Sequence, residues 1–180
     1  MIKLPILVSI PEDRVPILIG KNAETKKEIE FRGKCTLKIS KEGNVEIEGE
    51  NAAEEWKIRD IVTAIGRGFN PNLAFKLFSE NFYLEVLNLR DYLKSEHAIH
   101  RQKARIIGTQ GKTKKTIEEL TGVHLSIYGH TVAIIGDEEG IGLAKEAIVM
   151  LLSGKTHSTV YSFLEKQAKI NKIFVISKEV

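Results

Sequence analysis

The chain has 180 residues, 42% hydrophobic and 28% charged, with a formal net charge of +3. That balance suits one large or two small folded domains and argues against extended disorder. No segment approaches the roughly 18 apolar residues of a membrane span, Met1-Ile2-Lys3-Leu4-Pro5 lacks a signal-peptide pattern, and the lone Cys35 allows neither an internal disulfide nor a CxxC pair. A soluble, cytoplasmic protein is expected.

In chain order, Lys3–Ile10 reads as an opening strand, rich in apolar and β-branched residues. A short helical stretch ending in Ile19-Gly20 comes next, then a weakly patterned helix. Thr36–Ile39 and Val45–Ile47 alternate as strands joined across Lys41–Asn44. A longer helix covers about Ala52–Ile65. Gly66-Arg67-Gly68-Phe69-Asn70-Pro71 ends it with glycines and starts another, with Asn70 as N-cap and Pro71 at the first helical position. That helix runs to about Ser79, and Leu73, Ala74, Leu77 and Phe78 give it an apolar face wide enough to pack between two units as part of a rigid pair.

The second half repeats the pattern. Tyr83–Asn88 reads as a strand, and a basic helical stretch ends in Ile107-Gly108. Lys112–Thr121 carries Thr113, Ile117 and Leu120 on an inward stripe, leaving Lys112 and Lys115 on another face. Leu125–Ile127 and Val132–Ile135 form strands across Tyr128-Gly129-His130, and a helix covers about Ile141–Leu152. From Thr156 a last helix places Val160, Phe163, Leu164 and Ala168 together, and the apolar run Ile173–Ile176 suits a strand or a partner surface.

Ile19–Lys27 lies over Ile107–Lys115 at a constant offset, and in the same register Ile29, Glu30, Leu37 and Ile39 match Ile117, Glu118, Leu125 and Ile127. After a one-residue slip, Val45, Ile47 and Gly49 match Val132, Ile134 and Gly136. The repeat implies two homologous β-α-α-β-β-α units, each an α+β fold with a three-stranded sheet and helices on one face.

Charge divides unevenly between them. Residues 1–68 hold 12 Lys+Arg against 12 Asp+Glu, whereas Lys94, Arg101, Lys103, Arg105, Lys112, Lys114 and Lys115 are opposed over their span only by Glu96. Such a window suits a polyanion. Inside it, Gly108-Thr109-Gln110-Gly111 forms a GxxG loop between two short helices, with lysines and a strand after it. A type I KH module clamps single-stranded RNA with that arrangement. Glycines let a phosphodiester approach the main chain, and the next helix points free N–H groups and its positive dipole end at the phosphates. Lys112, Lys114 and Lys115 add charge, while Ile106, Ile107, Leu125 and Ile127 would floor the groove for unstacked bases.

The candidate RNA-binding set is therefore Arg101, Lys103, Arg105, Ile106, Ile107, Gly108, Thr109, Gln110, Gly111, Lys112, Lys114, Lys115, Leu125 and Ile127. The expected organisation is a degenerate KH unit without GxxG at 1–68, a connecting helix at 69–81, a KH unit with GxxG at 82–155, and a C-terminal helix and tail at 156–180. In the first unit Gly20-Lys21-Asn22-Ala23 lacks the closing glycine, Glu24 replaces the Lys112 charge, and Glu42–Asp60 is acidic. That half reads as a scaffold or protein-contact surface, with auxiliary RNA contact as the alternative.

The degenerate first loop, the joint Ile65–Pro71 leading into Ala74 and Leu77, and above all Arg105–Glu118 with its G-x-x-GKTK-x-TIE pattern resemble the archaeal Dim-two/partner-of-Nob-one family over nearly the whole chain. The resemblance implies a KH protein that binds the 3′ region of small-subunit rRNA during ribosome biogenesis. It implies the small ribosomal subunit and a PIN-domain processing endonuclease as partners, and leaves contact with a translation initiation factor open. Eukaryotic members carry an N-terminal extension whose functions are not transferred.

Enzymatic readings find no support in the residues. Gly111-Lys112-Thr113 echoes the end of a P-loop, but Ile106 stands where that motif needs glycine. His97 and His100, or His124 and His130, lack the partner set of a metal site. No cofactor or metal is expected. The competing reading from another class is a protein-interaction scaffold of the ribosome or initiation machinery with incidental RNA contact.

Overall fold

A computed structural model describes residues 4–178, with side chains through Asn171, and divides into units Met1–Leu84 and Glu85–Val180. The first contains β1 (Ile6–Ser9), α1 (Val15–Ile19), α2 (Glu24–Gly33), β2 (Cys35–Ile39), β3 (Asn44–Gly49) and α3 (Ala52–Gly66), then the short α4 (Pro71–Ala74) and a 3-10 turn Phe75–Phe78. The second repeats the order: β4 (Tyr83–Asn88), α5 (Glu96–Ile107), α6 (Lys112–Thr121), β5 (His124–Tyr128), β6 (Thr131–Gly136) and α7 (Glu138–Leu152), then α8 (His157–Lys178).

Several sequence expectations change: the connecting helix expected to run to about Ser79 is α-helical only over Pro71–Ala74 before its 3-10 turn, and α7 starts at Glu138 rather than about Ile141. The opening strand starts at Ile6, just after Pro5, which has no N–H to give to a ladder; Lys3 lies outside the described residues. The run Ile173–Ile176 belongs to α8 and adds no strand. No glycine or proline interrupts the chain from His157 to Lys178, so nothing stops the helix before it.

Each sheet is antiparallel about its last strand, in the orders β1-β3-β2 and β4-β6-β5. The paired residues are those that the repeat aligns. Leu37 faces Ile47 and Ile39 faces Val45; Leu125 faces Ile134 and Ile127 faces Val132. Alternation sends these side chains to the helical side, where in the second unit Leu125, Val132 and Ile134 join Ile106, Ile117, Ile148 and Leu151 in one buried core.

Chemistry shared by the two repeats anchors strands to helices. The Glu30 carboxylate accepts from Leu37 N at 2.8 Å, and Glu118 accepts from Leu125 N at 2.7 Å. Each unit also ends its long helix with an arginine borrowed from an earlier segment. Arg14 donates to Ile65 O at 2.8 Å and Phe69 O at 2.7 Å; Arg105 donates to Leu151 O at 2.7 Å and Lys155 O at 2.6 Å. Ile65 and Leu151 lie in the last turns of their helices, and Phe69 and Lys155 in the segments that follow.

The two units differ in the segment that comes after the long helix. In the first, α4, capped by Asn70 Oδ1 accepting from Leu73 N at 2.9 Å, and the 3-10 turn after it pack on α3 and bury Ala74 and Leu77 respectively. Arg32, which the repeat aligns with Leu120, is exposed and lays its guanidinium 4.1 Å from the Phe78 ring centre. The cation–aromatic contact explains a charged residue where the repeat predicts an apolar one. In the second unit α8 packs on α6 and α7, with Val160 and Leu164 buried in the core.

The first unit keeps the loop backbone although it has lost a glycine. Gly20 has φ 75° and ψ 171°, the values found at Gly108, while Asn22 (φ 53°, ψ 30°) matches Gln110 (φ 52°, ψ 31°). Ala23 holds φ 60°, a left-handed conformation that an L-residue with a Cβ occupies at a cost of about 1 kcal/mol. Ala23→Gly is therefore expected to stabilise the chain by about 1 kcal/mol, read as a higher urea midpoint with unchanged slope.

Candidate nucleic-acid interface

Helix α5 begins with Ser95 Oγ accepting from Ala98 N at 3.1 Å and buries Ile99, Gln102 and Ile106. This inward face leaves Arg101 exposed and Lys103 half-buried. Gly108 ends the helix, its N–H donating to Ala104 O at 2.8 Å. A Cβ on Gly108 would stand 2.7 Å from Thr113 N and collide with Thr113 Oγ1; only glycine fits. Gly111, at φ 75°, has a different requirement, since a Cβ there would meet nothing within 4 Å. Its absent side chain leaves the main chain bare on the open side.

Helix α6 then starts at Lys112 with Gly111 as N-cap, and no side chain caps its first N–H groups. Those donors and the helix dipole favour an anion. Lys112 and Lys115 are exposed and Lys114 is half-buried. Lys114 and Lys115 lie 4.0 and 3.7 Å from Glu118 and Glu119, weak surface pairs that a phosphate can displace.

Three of the expected contact residues have other work. The Arg105 guanidinium is bound to Leu151 O, Lys155 O and the Gln102 side chain, so those donors are taken, although its charge still adds to the local field. Ile106 and Leu125, at 0% and 2% exposure, are closed inside the core and floor no groove. Of the apolar set, Ile107 at 37% exposure and the half-buried Ile127 remain reachable. Apolar character alone does not tell a side chain sealed in the core from one at the edge of a groove.

A cluster that sequence spacing did not reveal fastens the β5–β6 turn to the start of α5. Glu96 Oε2 lies 2.7 Å from His130 Nε2, and Arg90 donates to Glu96 Oε1 at 3.1 Å. Both neighbours, the His130 ring first, hold the Glu96 carboxyl below its ordinary range. Its folded-state value is depressed, so the contact is fully present above the unfolded value of about 4.3 and is lost as pH falls through the lower folded one. Residues separated by 34 positions carried no signal to link them.

With this geometry in view, the family model of the second PNO1 KH domain, a eukaryotic-type KH domain (KH-domain type I), matches residues 83–169. A KH domain-containing protein of Methanocaldococcus jannaschii is 47% identical over 165 residues, covering 89% of this chain and 73% of the relative. The pre-rRNA-processing protein pno1 of Aspergillus fumigatus is 35% identical over 115 residues, covering 62% of this chain but 46% of that longer protein. Among solved structures, the a/eIF2alpha-aDim2p-rRNA complex from Pyrococcus horikoshii matches with a TM-score of 0.86 and 47% identity, over 92% of this chain and 94% of that one.

The two loop glycines predict unequal costs. Gly111→Ala is expected to destabilise by about 1 kcal/mol, as for a left-handed alanine with free space. Gly108→Ala adds a collision with backbone and should cost on the order of 3 kcal/mol. Chemical denaturation of the two variants measures the difference.

Proposed function

We propose that this chain, which belongs to the archaeal Dim2/PNO1 family of KH-domain proteins, binds single-stranded RNA through its second unit and acts in ribosome biogenesis on the 3′ region of small-subunit rRNA. The observation that carries this reading is the bare, left-handed turn at Gly111 leading into the uncapped N-terminus of α6 beside Lys112, Lys114 and Lys115. A phosphodiester can reach main-chain donors there without meeting a Cβ, and the lysines supply charge at the same place. The rRNA in the Pyrococcus horikoshii complex and the pre-rRNA-processing names of the fungal relatives support rRNA as the RNA.

The proposed partners are the small ribosomal subunit and the PIN-domain endonuclease that trims its RNA. The a/eIF2alpha component of the Pyrococcus horikoshii complex supports a translation initiation factor as a further partner. The contact set is Arg101, Lys103, Ile107, Gly108–Gly111, Lys112, Lys114, Lys115 and Ile127, with Arg105, Ile106 and Leu125 holding the site from behind. The protein works as a binding factor, and the proposed role needs no catalytic group.

Thr109→Asp combined with Gln110→Asp places two carboxylates against the phosphates while keeping both glycines. Affinity for single-stranded RNA of the small-subunit 3′-end sequence should fall by about 100-fold or more, equivalent to two unfavourable close charge pairs. Unchanged affinity would remove the loop from the interface. Lys114→Glu with Lys115→Glu should reduce the slope of log K against log salt by about 1.4, the share of two phosphate contacts on a single strand.

A further inference from the structure

We propose that helix α8 is a positioning element of the clamp, and that Tyr161 and His157 hold the two sides of the Gly108–Gly111 loop in register. The inference rests on the RNA-clamp reading and names the residues that keep that site in shape. On the downstream side, the Tyr161 hydroxyl lies 2.9 Å from Thr113 Oγ1. Thr113 is 3% exposed, and it is the residue against which Gly108 is packed without room for a Cβ. Fixing the Thr113 hydroxyl therefore fixes the close contact between the first loop residue and the first turn of α6.

On the upstream side, His157 Nε2 lies 2.9 Å from Arg105 O and donates to it when that nitrogen carries the proton. Arg105 sits in the last turn of α5, three residues ahead of Gly108, and its guanidinium grips Leu151 O and Lys155 O at the junction of α7 and α8. His157 and Tyr161 are one helical turn apart, so both rings share a face of α8, with centroids 6.2 Å apart. The helix cannot drift along its axis, because Val160 and Leu164 are buried in the core at 0% and 1% exposure. Both ends of the loop are thus referred to one rigid rod.

The first unit supplies the contrast. Thr25 stands against Gly20 as Thr113 stands against Gly108, but among the described residues no tyrosine or other hydroxyl partner meets Thr25 Oγ1. There the segment after the long helix reaches α2 at its far end, through Arg32 and Phe78, and leaves the loop end without a brace. A loop held in its bound shape before the ligand arrives loses less freedom on binding. The brace should accordingly act on affinity without touching RNA.

The test measures binding of the full chain to a fluorescein-labelled single-stranded RNA of the small-subunit 3′-end sequence, together with amide exchange of the loop without RNA. Tyr161→Phe and Thr113→Val should each weaken binding about fivefold, the share of one buried hydrogen bond. The double variant should be no weaker than either single one, Thr113→Ser should bind as the parent does, and the salt slope should stay unchanged because no phosphate contact is lost. Exchange at Thr109–Lys112 should quicken while that of β6 stays slow. Parental binding and parental loop exchange in Tyr161→Phe and Thr113→Val overturn the positioning role, as do additive losses with unchanged loop exchange. If the Thr109→Asp, Gln110→Asp variant still loses affinity, the clamp reading survives that failure. If that variant binds like the parent, the clamp reading falls and loop exchange alone decides whether α8 braces the turn.

Discussion

Gly108 lies so close to Thr113 that no side chain can come between them, and much of the second unit is organised around that approach. The chain must leave α5, turn through Thr109, Gln110 and Gly111, and enter α6 within one short loop, while keeping its amides on the outside. A Cβ at the first position would push α6 away and undo the stripe by which Thr113 and Ile117 enter the core. A Cβ at the last would meet nothing within 4 Å but would cover the open side of the turn. The same two absences that make the turn possible make it accessible to a phosphate.

Comparison of the two units separates geometry from chemistry. Both loops trace the same path, since Gly20 and Gly108 share φ 75° and Asn22 and Gln110 agree within a degree or so. Loss of the closing glycine leaves the path intact at Ala23 and costs backbone strain. The surroundings are what set the loops apart: Glu24 replaces Lys112, and Phe78 meets Arg32 at the far end of α2, whereas α8 meets Thr113 at the loop end of α6. The first loop therefore differs from the second more in charge than in backbone path.

Much of the architecture was legible because the repeat doubled the signal. Leu37 and Ile39 against Leu125 and Ile127, with Val45 and Ile47 against Val132 and Ile134, mark the strand pairs and their register. Asn70 was legible as a helix cap, whereas Asp137 was not, and the expected start of α7 lies three residues late. The site was less legible. Ile106 and Ile107 are adjacent and equally apolar, yet one is sealed in the core and the other is 37% exposed. Arg105 counts toward a basic window but uses its donors on the Leu151 and Lys155 carbonyls 46 and 50 residues away. Tyr161 and Thr113 are joined across 48 residues, a distance over which composition and periodicity carry no information.

The Gly108–Gly111 loop is thus the proposed place where RNA meets the main chain. Hydrogen exchange of the full chain, with and without single-stranded RNA of the small-subunit 3′-end sequence, addresses that claim directly. Protection on RNA addition should centre on the amides from Thr109 through Thr116 and extend to β5. Binding that leaves those amides exchanging at their RNA-free rate would contradict it.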